Sequence, residues 1–221
     1  MSAATGAHAS ATTVAGVTTL RPFVPSDLPG LYNICLRTGD SGADASALYH
    51  DPFLLGHVYA GPYPLADAGL TFVLVGADGL LGYIVATADT LRFEEWLERS
   101  WWPTLREQLA GHPGTDPGDG SQDWERVQHI ASTRPHDDEL FRRFPAHLHI
   151  DLLPQAQGGG NGRRLMDVLL HALRERGVPG VHLGVGAGNP RARAFYLALG
   201  FTEERVHDWG STMVRDLTTG A

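Results

Sequence analysis

The residues best placed to do chemistry lie in "HLHIDLLPQAQGGGNGRRLM", 147–166, where an apolar strand pattern runs through a proline into four glycines and two arginines. A strand that ends in a glycine-rich turn and resumes as a helix leaves the helix's first N–H groups without partners, which is an anion-binding arrangement. Glycines let the main chain approach the anion and curl successive amides inward. Gly158, Gly159, Gly160, Asn161 and Gly162, with Arg163 and Arg164 beside them, therefore suit a diphosphate. Spacing separates the nucleotide families. A dinucleotide pattern G-x-G-x-x-G counted from Gly158 ends on Arg163 with no acidic residue about 20 positions on. An ATPase-type phosphate loop needs a lysine, and all 17 basic residues here are arginine. The bland alternative is a flexible strand-to-helix turn.

The strand before the loop alternates His147, His149 and Asp151 with Leu148, Ile150 and Leu152. Three polar residues on one face of a central strand suit a base, or a base relay, that takes a proton from an attacking amine, because an alkylammonium cannot attack until deprotonated. His149 and Asp151 are the candidates. The structural alternative is a pair of buried histidines bonded to Asp151, and a bulge before the loop would change which set faces a cleft. The turn-rich segment 37–63 carries Asp40, Asp44, His50, Asp51, His57, Tyr59 and Tyr63. It reads as an acceptor pocket acidic enough for a cationic amine, with Asp40 and Tyr63 as substrate-binding candidates, or as an exposed polar loop. No metal site is expected.

These groups need elements to hold them. The 221 residues suit one domain, 43% hydrophobic and 19% charged, with no apolar run near the roughly 18 residues of a membrane helix. A net charge of −8 argues against general affinity for nucleic acid or anionic membrane. Six arginines between Gln157 and Arg193 nonetheless give that stretch a local balance of +4. Residues 1–16 read as a disordered leader and not a secretory signal, and 17–221 as the folded domain. The lone Cys35, which excludes an internal disulfide, reads as a core residue in a cytoplasmic protein.

Periodicity predicts a strand over 17–23 and a helix capped by Ser26 with Leu28, Leu31 and Ile34 or Cys35 on its apolar side. It also predicts a hairpin of 71–76 and 81–88 about Ala77-Asp78-Gly79. A helical insert spans about 90–145, broken at Pro103. Strand 147–153, helix 163–176, strand 181–185, helix 190–199 and strands 201–207 and 212–217 follow.

With those elements in place, Q-x-x-G-x-G at Gln157, Gly160 and Gly162, preceded by Pro154 and an apolar strand, resembles the pyrophosphate loop of the GNAT acyl-CoA-dependent N-acetyltransferases. "NPRARAFYLALGF", 189–201, is similar to that family's second cofactor segment, while "LRPFVPSDLPGLYNICLRTGD" and "GLLGYIVAT" match its first strand and helix and its central hairpin. The stretches "LRTGD", "LLGHVYAGPY" and "WWPTLREQ" also resemble a narrower group, the acetyltransferase-like C-terminal domain of O-GlcNAcase and its free-standing bacterial relatives.

The resemblance implies an α/β (α+β) acyltransferase fold, with a mixed, mostly antiparallel sheet flanked by helices. It implies acetyl-CoA as co-substrate, held by Leu152, Leu153, Gln157, Gly158–Gly162, Arg163, Asn189, Arg193 and Tyr196. It further implies direct transfer to an amine acceptor, small molecule or peptide, with Tyr196 as proton donor to the departing thiolate. Asn189 reads equally as a helix cap and Tyr196 as a core aromatic. A second reading is a catalytically silent acyl-CoA-binding or protein-interaction module on the same fold.

Overall fold

The computed structural model describes residues 17–112, 116, 118, 120–132 and 138–218, so the expected leader lies outside the described residues. Seven strands form one sheet: β1 (Thr19–Pro22), β2 (Thr71–Gly76), β3 (Gly79–Thr87), β4 (Ala146–Leu152), β5 (Gly180–Gly186), β6 (Thr202–His207) and β7 (Gly210–Asp216). Their spatial order is β1-β2-β3-β4-β5-β7-β6, antiparallel except where β4 meets β5. The predicted hairpin is β2–β3, and Gly79 takes the positive φ of 122° that its turn requires.

One face of the sheet is covered by α8 (Asn161–Glu175) and α9 (Pro190–Ala198). Leu165, Met166, Leu169, Leu170 and Leu173 recur at helical spacing along α8 and are buried with Ile84, Ala86 and Leu148 from the sheet. α8 stops at Gly177, φ 71°, where the Val178 N–H returns to the Leu173 carbonyl at 3.1 Å and both side chains stay in the core.

The other face carries α1 (Leu28–Thr38), the short α2 (Leu54–Tyr59) and α3 (Tyr63–Ala66), and the predicted helical insert. Ser26 does not cap α1. Asp27 organises its start instead, accepting from the Val24 N–H at 2.9 Å and from both Arg21 terminal nitrogens at 2.7 and 2.8 Å. The insert comprises α4 (Thr90–Trp96), a π-helical turn over Leu97–Trp101, α5 (Trp102–Gln108), α6 (Asp123–Ala131) and α7 (Asp138–Arg143). The break predicted at Pro103 thus takes the form of a wide turn just before a ring that has no N–H to give.

Two polar ties clamp the insert onto the 37–63 segment. The fully buried Asp123 carboxylate accepts the N–H groups of His50 and Asp51 at 3.0 and 3.1 Å. The Trp101 indole donates to the His57 carbonyl at 2.9 Å.

Bulges fall at Leu81 of β3, against β2, and at Glu204 of β6, while β4 keeps unbroken register with β3 from His147 opposite Thr87 to Leu152 opposite Gly82. His147, His149 and Asp151 consequently all face α1, α2 and the insert, with Leu148, Ile150 and Leu152 toward α8. At Gly82 the two strands crowd: a Cβ there would stand 2.8 Å from the Asp151 carbonyl oxygen and 2.5 Å from the Leu152 side chain. Gly82→Ala should therefore lower stability by about 1–3 kcal/mol, the usual range for overpacking. Urea unfolding checks this, and an unchanged midpoint would refute the account of the crowding.

Candidate active site

β4 and β5 are paired only at Ala146–Val181 and His147–His182, and beyond His147 they part. β3 pairs with β4 on one side and β7 with β5 on the other, so two strand edges look into the gap with no ladder between them. Antiparallel pairing alternates the direction of peptide groups along a strand. The Leu153 N–H is spent on the Leu81 carbonyl at 2.9 Å, which turns the Leu152 N–H the other way, into the gap. The Leu153 N–H is thereby unavailable to the gap, and the Leu152 N–H faces it.

Below the gap the chain turns through Pro154–Ala156 into the glycine loop. Gly158 and Gly160 hold φ of 80° and 77°, a left-handed conformation that residues with side chains adopt at a cost. Gly160 stands at the N-cap of α8, and the N–H groups of Gly158, Gly159 and Gly160 meet no acceptor among the described residues. Gly162 has a different reason to be glycine: a Cβ there would come within 3.1 Å of the Phe195 ring of α9.

Gln157 ties the loop to both sides of the gap, donating to the Leu152 carbonyl at 2.7 Å and accepting from Arg191 at 2.6 Å. Asn161 donates to the Ala156 carbonyl at 3.0 Å and accepts from Arg164 at 2.9 Å. The loop therefore stands preshaped, with unspent donors.

The arginine-rich stretch does not stay together in space. Arg176 reaches Asp67, and Arg193 is paired with Glu203, whose carboxyl that pairing and Ser211 hold down at about 2. Arg163, which reaches the Ala198 carbonyl at 3.4 Å, together with Arg164 and Arg191, remains around the loop. Asn189 caps α9, accepting from the Ala192 N–H at 2.9 Å. Tyr196 is buried beside Phe195 and Phe201, and its hydroxyl has no hydrogen-bond partner among the described residues. Burial, then the Asp151 charge, push that phenol well above the usual tyrosine range.

The polar face of β4 meets a different space. A cavity of about 490 Å³ lies over His147 and His149, walled by Tyr59, Tyr63, Phe93 and Trp102, with Glu94, Glu95 and Glu98 along the insert side. The Thr90 hydroxyl donates to the Pro145 carbonyl, so His147 Nδ1 carries the proton given to Thr90 at 2.8 Å, and Nε2 accepts from the Tyr63 hydroxyl at 2.8 Å. Both of its nitrogens are committed. His149 touches Tyr59 and Tyr63 edge-on at ring distances of 5.2 and 5.4 Å and has no hydrogen-bond partner among the described residues. Burial, reinforced by His182, pushes its imidazole down to about 4.

Asp151 accepts from Tyr83 in a short bond, and burial raises its carboxyl above the ordinary value. Asp40 lies outside the cavity, on an exposed turn where a Cβ on Gly188 would be 3.3 Å from Ser41 Oγ, close to the start of α9. Tyr63 lines the cavity with its hydroxyl already engaged. Glu94, Glu95, Trp102 and His129 come from the insert. Trp102 lies in the "WWPTLREQ" stretch, but no motif marked Glu94, Glu95 or His129, because only packing of the insert brings them over β4.

Sheet and site together define a class. The family profile described as Acetyltransferase (GNAT) family matches residues 72–201, and the chain belongs to that family. Protein O-GlcNAcase of Rattus norvegicus is 26% identical over 192 residues, covering 85% of this chain and 20% of that protein. The chain thus spans about a fifth of the length of this curated relative. Among solved structures, that of SsHAT has a TM-score of 0.78 at 36% identity, over 90% of this chain and 98% of that one. The structure of yncA from Salmonella typhimurium, solved with its cofactor acetyl-CoA, has a TM-score of 0.54 at 16% identity over 93% and 97%. It shares the fold. No described helix is long and apolar enough to cross a membrane, and no described cluster of histidine, cysteine or acidic residues could hold a metal ion.

The depressed His149 value carries a sign. A histidine whose folded pKa lies below its unfolded value of about 6.5 binds fewer protons folded than unfolded between the two, so stability falls as pH drops through that window. His149 alone accounts for a loss on the order of 3 kcal/mol between pH 7 and pH 4. In an NMR titration of the imidazoles, His149 should stay neutral down to pH 5. An inflection near 6.5 would mean that the ring is solvated.

Proposed function

We propose that this protein is an acetyl-CoA-dependent N-acetyltransferase that moves the acetyl group directly to an amine. The observation that carries the reading is the gap between β4 and β5, opening onto a glycine loop whose Gly158, Gly159 and Gly160 amides have no acceptor among the described residues. Those amides and the α8 N-terminus suit a diphosphate, with Arg163 and Arg164 as flanking cations. Acetyl-CoA supplies an activated acyl group as a thioester. Gln157 and Asn161 keep the loop in shape, and Asn189 holds the start of α9.

On this reading the Leu152 N–H, aimed into the gap, donates to the acyl oxygen as it gains negative charge. His149 takes the proton from the amine, whose nitrogen forms the new bond to the acyl carbon as the carbon–sulfur bond breaks. Tyr196 gives its proton to the leaving thiolate; its unpartnered hydroxyl favours that role over packing alone. Asp151, tied to Tyr83, holds its end of β4 rather than acting as the base. Arg193, paired with Glu203, serves the α9–β6 contact. A cytoplasmic setting belongs to the same proposal, supported by the buried, unpaired Cys35.

Two variants test this. Gly160→Val puts a Cβ on a left-handed residue at the loop, and affinity for acetyl-CoA should fall at least tenfold by calorimetry while circular dichroism stays native. Unchanged affinity in the folded variant would remove the loop assignment. Tyr196→Phe keeps the ring and deletes the hydroxyl, so single-turnover thiol release should slow by about 10²–10⁴, with little change in acetyl-CoA affinity. Equal rates would leave Tyr196 as packing.

A further inference from the structure

The cavity over β4 is larger and more aromatic than deprotonating an amine requires. We infer that the acceptor is a free small-molecule primary amine with an apolar, ring-sized body, seated in this cavity with its nitrogen at His149, and not a lysine of a protein. The inference rests on the transfer reading above and adds the substrate class. Its volume, about 490 Å³, lies within the ~300–1,000 Å³ typical of small-ligand pockets. A lysine side chain is one unbranched four-carbon stem and would leave most of that space to water held against ring faces.

The walls are rings. Tyr63 stacks on Phe93 at 4.5 Å between centroids, Tyr59 stands edge-on to His149, and Trp102 closes the insert side. Such faces bind an apolar body by contact and an ammonium by cation–π attraction. The polar groups are placed for one end of a ligand. Both nitrogens of His147 are engaged, whereas His149 is unpartnered and presents the cavity with a free imidazole.

One lining carboxylate is exposed. Glu98 is paired with Arg106 and Arg99 also lines the cavity, which leaves Glu95, exposed on α4, as the carboxylate that attracts an arriving ammonium. The roof also has to stay in place. Asp123 and Trp101 bind the insert to the 48–57 stretch, which keeps the cavity a pocket rather than an open groove for an extended chain.

The test uses the full chain with acetyl-CoA and reads thiol release for phenethylamine, isoamylamine and an acetylated, amidated lysine peptide, with phenethylamine binding measured separately by calorimetry. Phenethylamine should exceed the peptide at least tenfold in kcat/KM. Val58→Phe fills the cavity beside Tyr59 and should raise the phenethylamine KM at least tenfold without altering acetyl-CoA affinity.

If Val58→Phe does not fold, Glu95→Gln on the exposed rim serves instead, with KM expected to rise severalfold at constant kcat. A preference for the peptide, or an unchanged KM in the folded variant, overturns the inference. Should acetyl-CoA bind and no amine release thiol, the transfer reading fails. The cavity assignment then survives only if phenethylamine binds and the variant abolishes that binding.

Discussion

The site proposed in this fold depends on two parallel strands that stop pairing after two residues. A sheet ordinarily satisfies its backbone by continuing the ladder, and strand edges left without partners are a liability. Here β4 and β5 diverge beyond His147 and His182 while each stays bound to its outer neighbour, so the sheet holds together around an open wedge. The wedge turns the Leu152 N–H into a free donor and lets Gln157 bridge the strand end to Arg191 across its base. Without the divergence the glycine loop would open onto an ordinary sheet, with no wedge between the strands.

The two faces of β4 have separate tasks, and the unbroken register with β3 keeps them apart. Leu148, Ile150 and Leu152 anchor α8, whose leucine stripe fixes the N-terminus that the loop feeds. His147 and His149 meet aromatic and polar groups from the helices over that face, and Asp151 meets Tyr83. A one-residue slip would exchange those sets, putting imidazoles against α8 and leucines into the cavity. The close approach at Gly82 helps to hold the register where the strand ends in the site.

The three polar residues of β4, alike by position, are distinguished by their partners. His147 is locked between Tyr63 and Thr90, and Asp151 is engaged by Tyr83. His149, ringed by aromatics, has no partner and stays neutral through the physiological range because burial disfavours its charged form. A neutral imidazole with an open nitrogen can accept a proton; the others are already committed.

Much of this was legible in the chain because it is local. The alternation of residues 147–152, the glycine spacing of the loop, the leucine stripe of α8 and the turn at Gly79 depend only on near neighbours and backbone geometry, and they were enough to point to the family, the strand-to-helix glycine loop and the polar strand face. Other features depended on distant partners. Arg193 looked available for an anion until β6 brought Glu203 to it, and Asp40 and Tyr63, from one loop, ended in different places. Ser26 was a plausible cap, but Asp27 had Arg21 within reach. The insert carried no pattern that marked a binding role, and its contribution to the cavity arises because Asp123 and Trp101 find backbone partners more than 40 residues away. Sequence determined which residues could bind an anion or move a proton. Tertiary structure decided which remained free to do so, since availability depends on what the rest of the chain folds against each group.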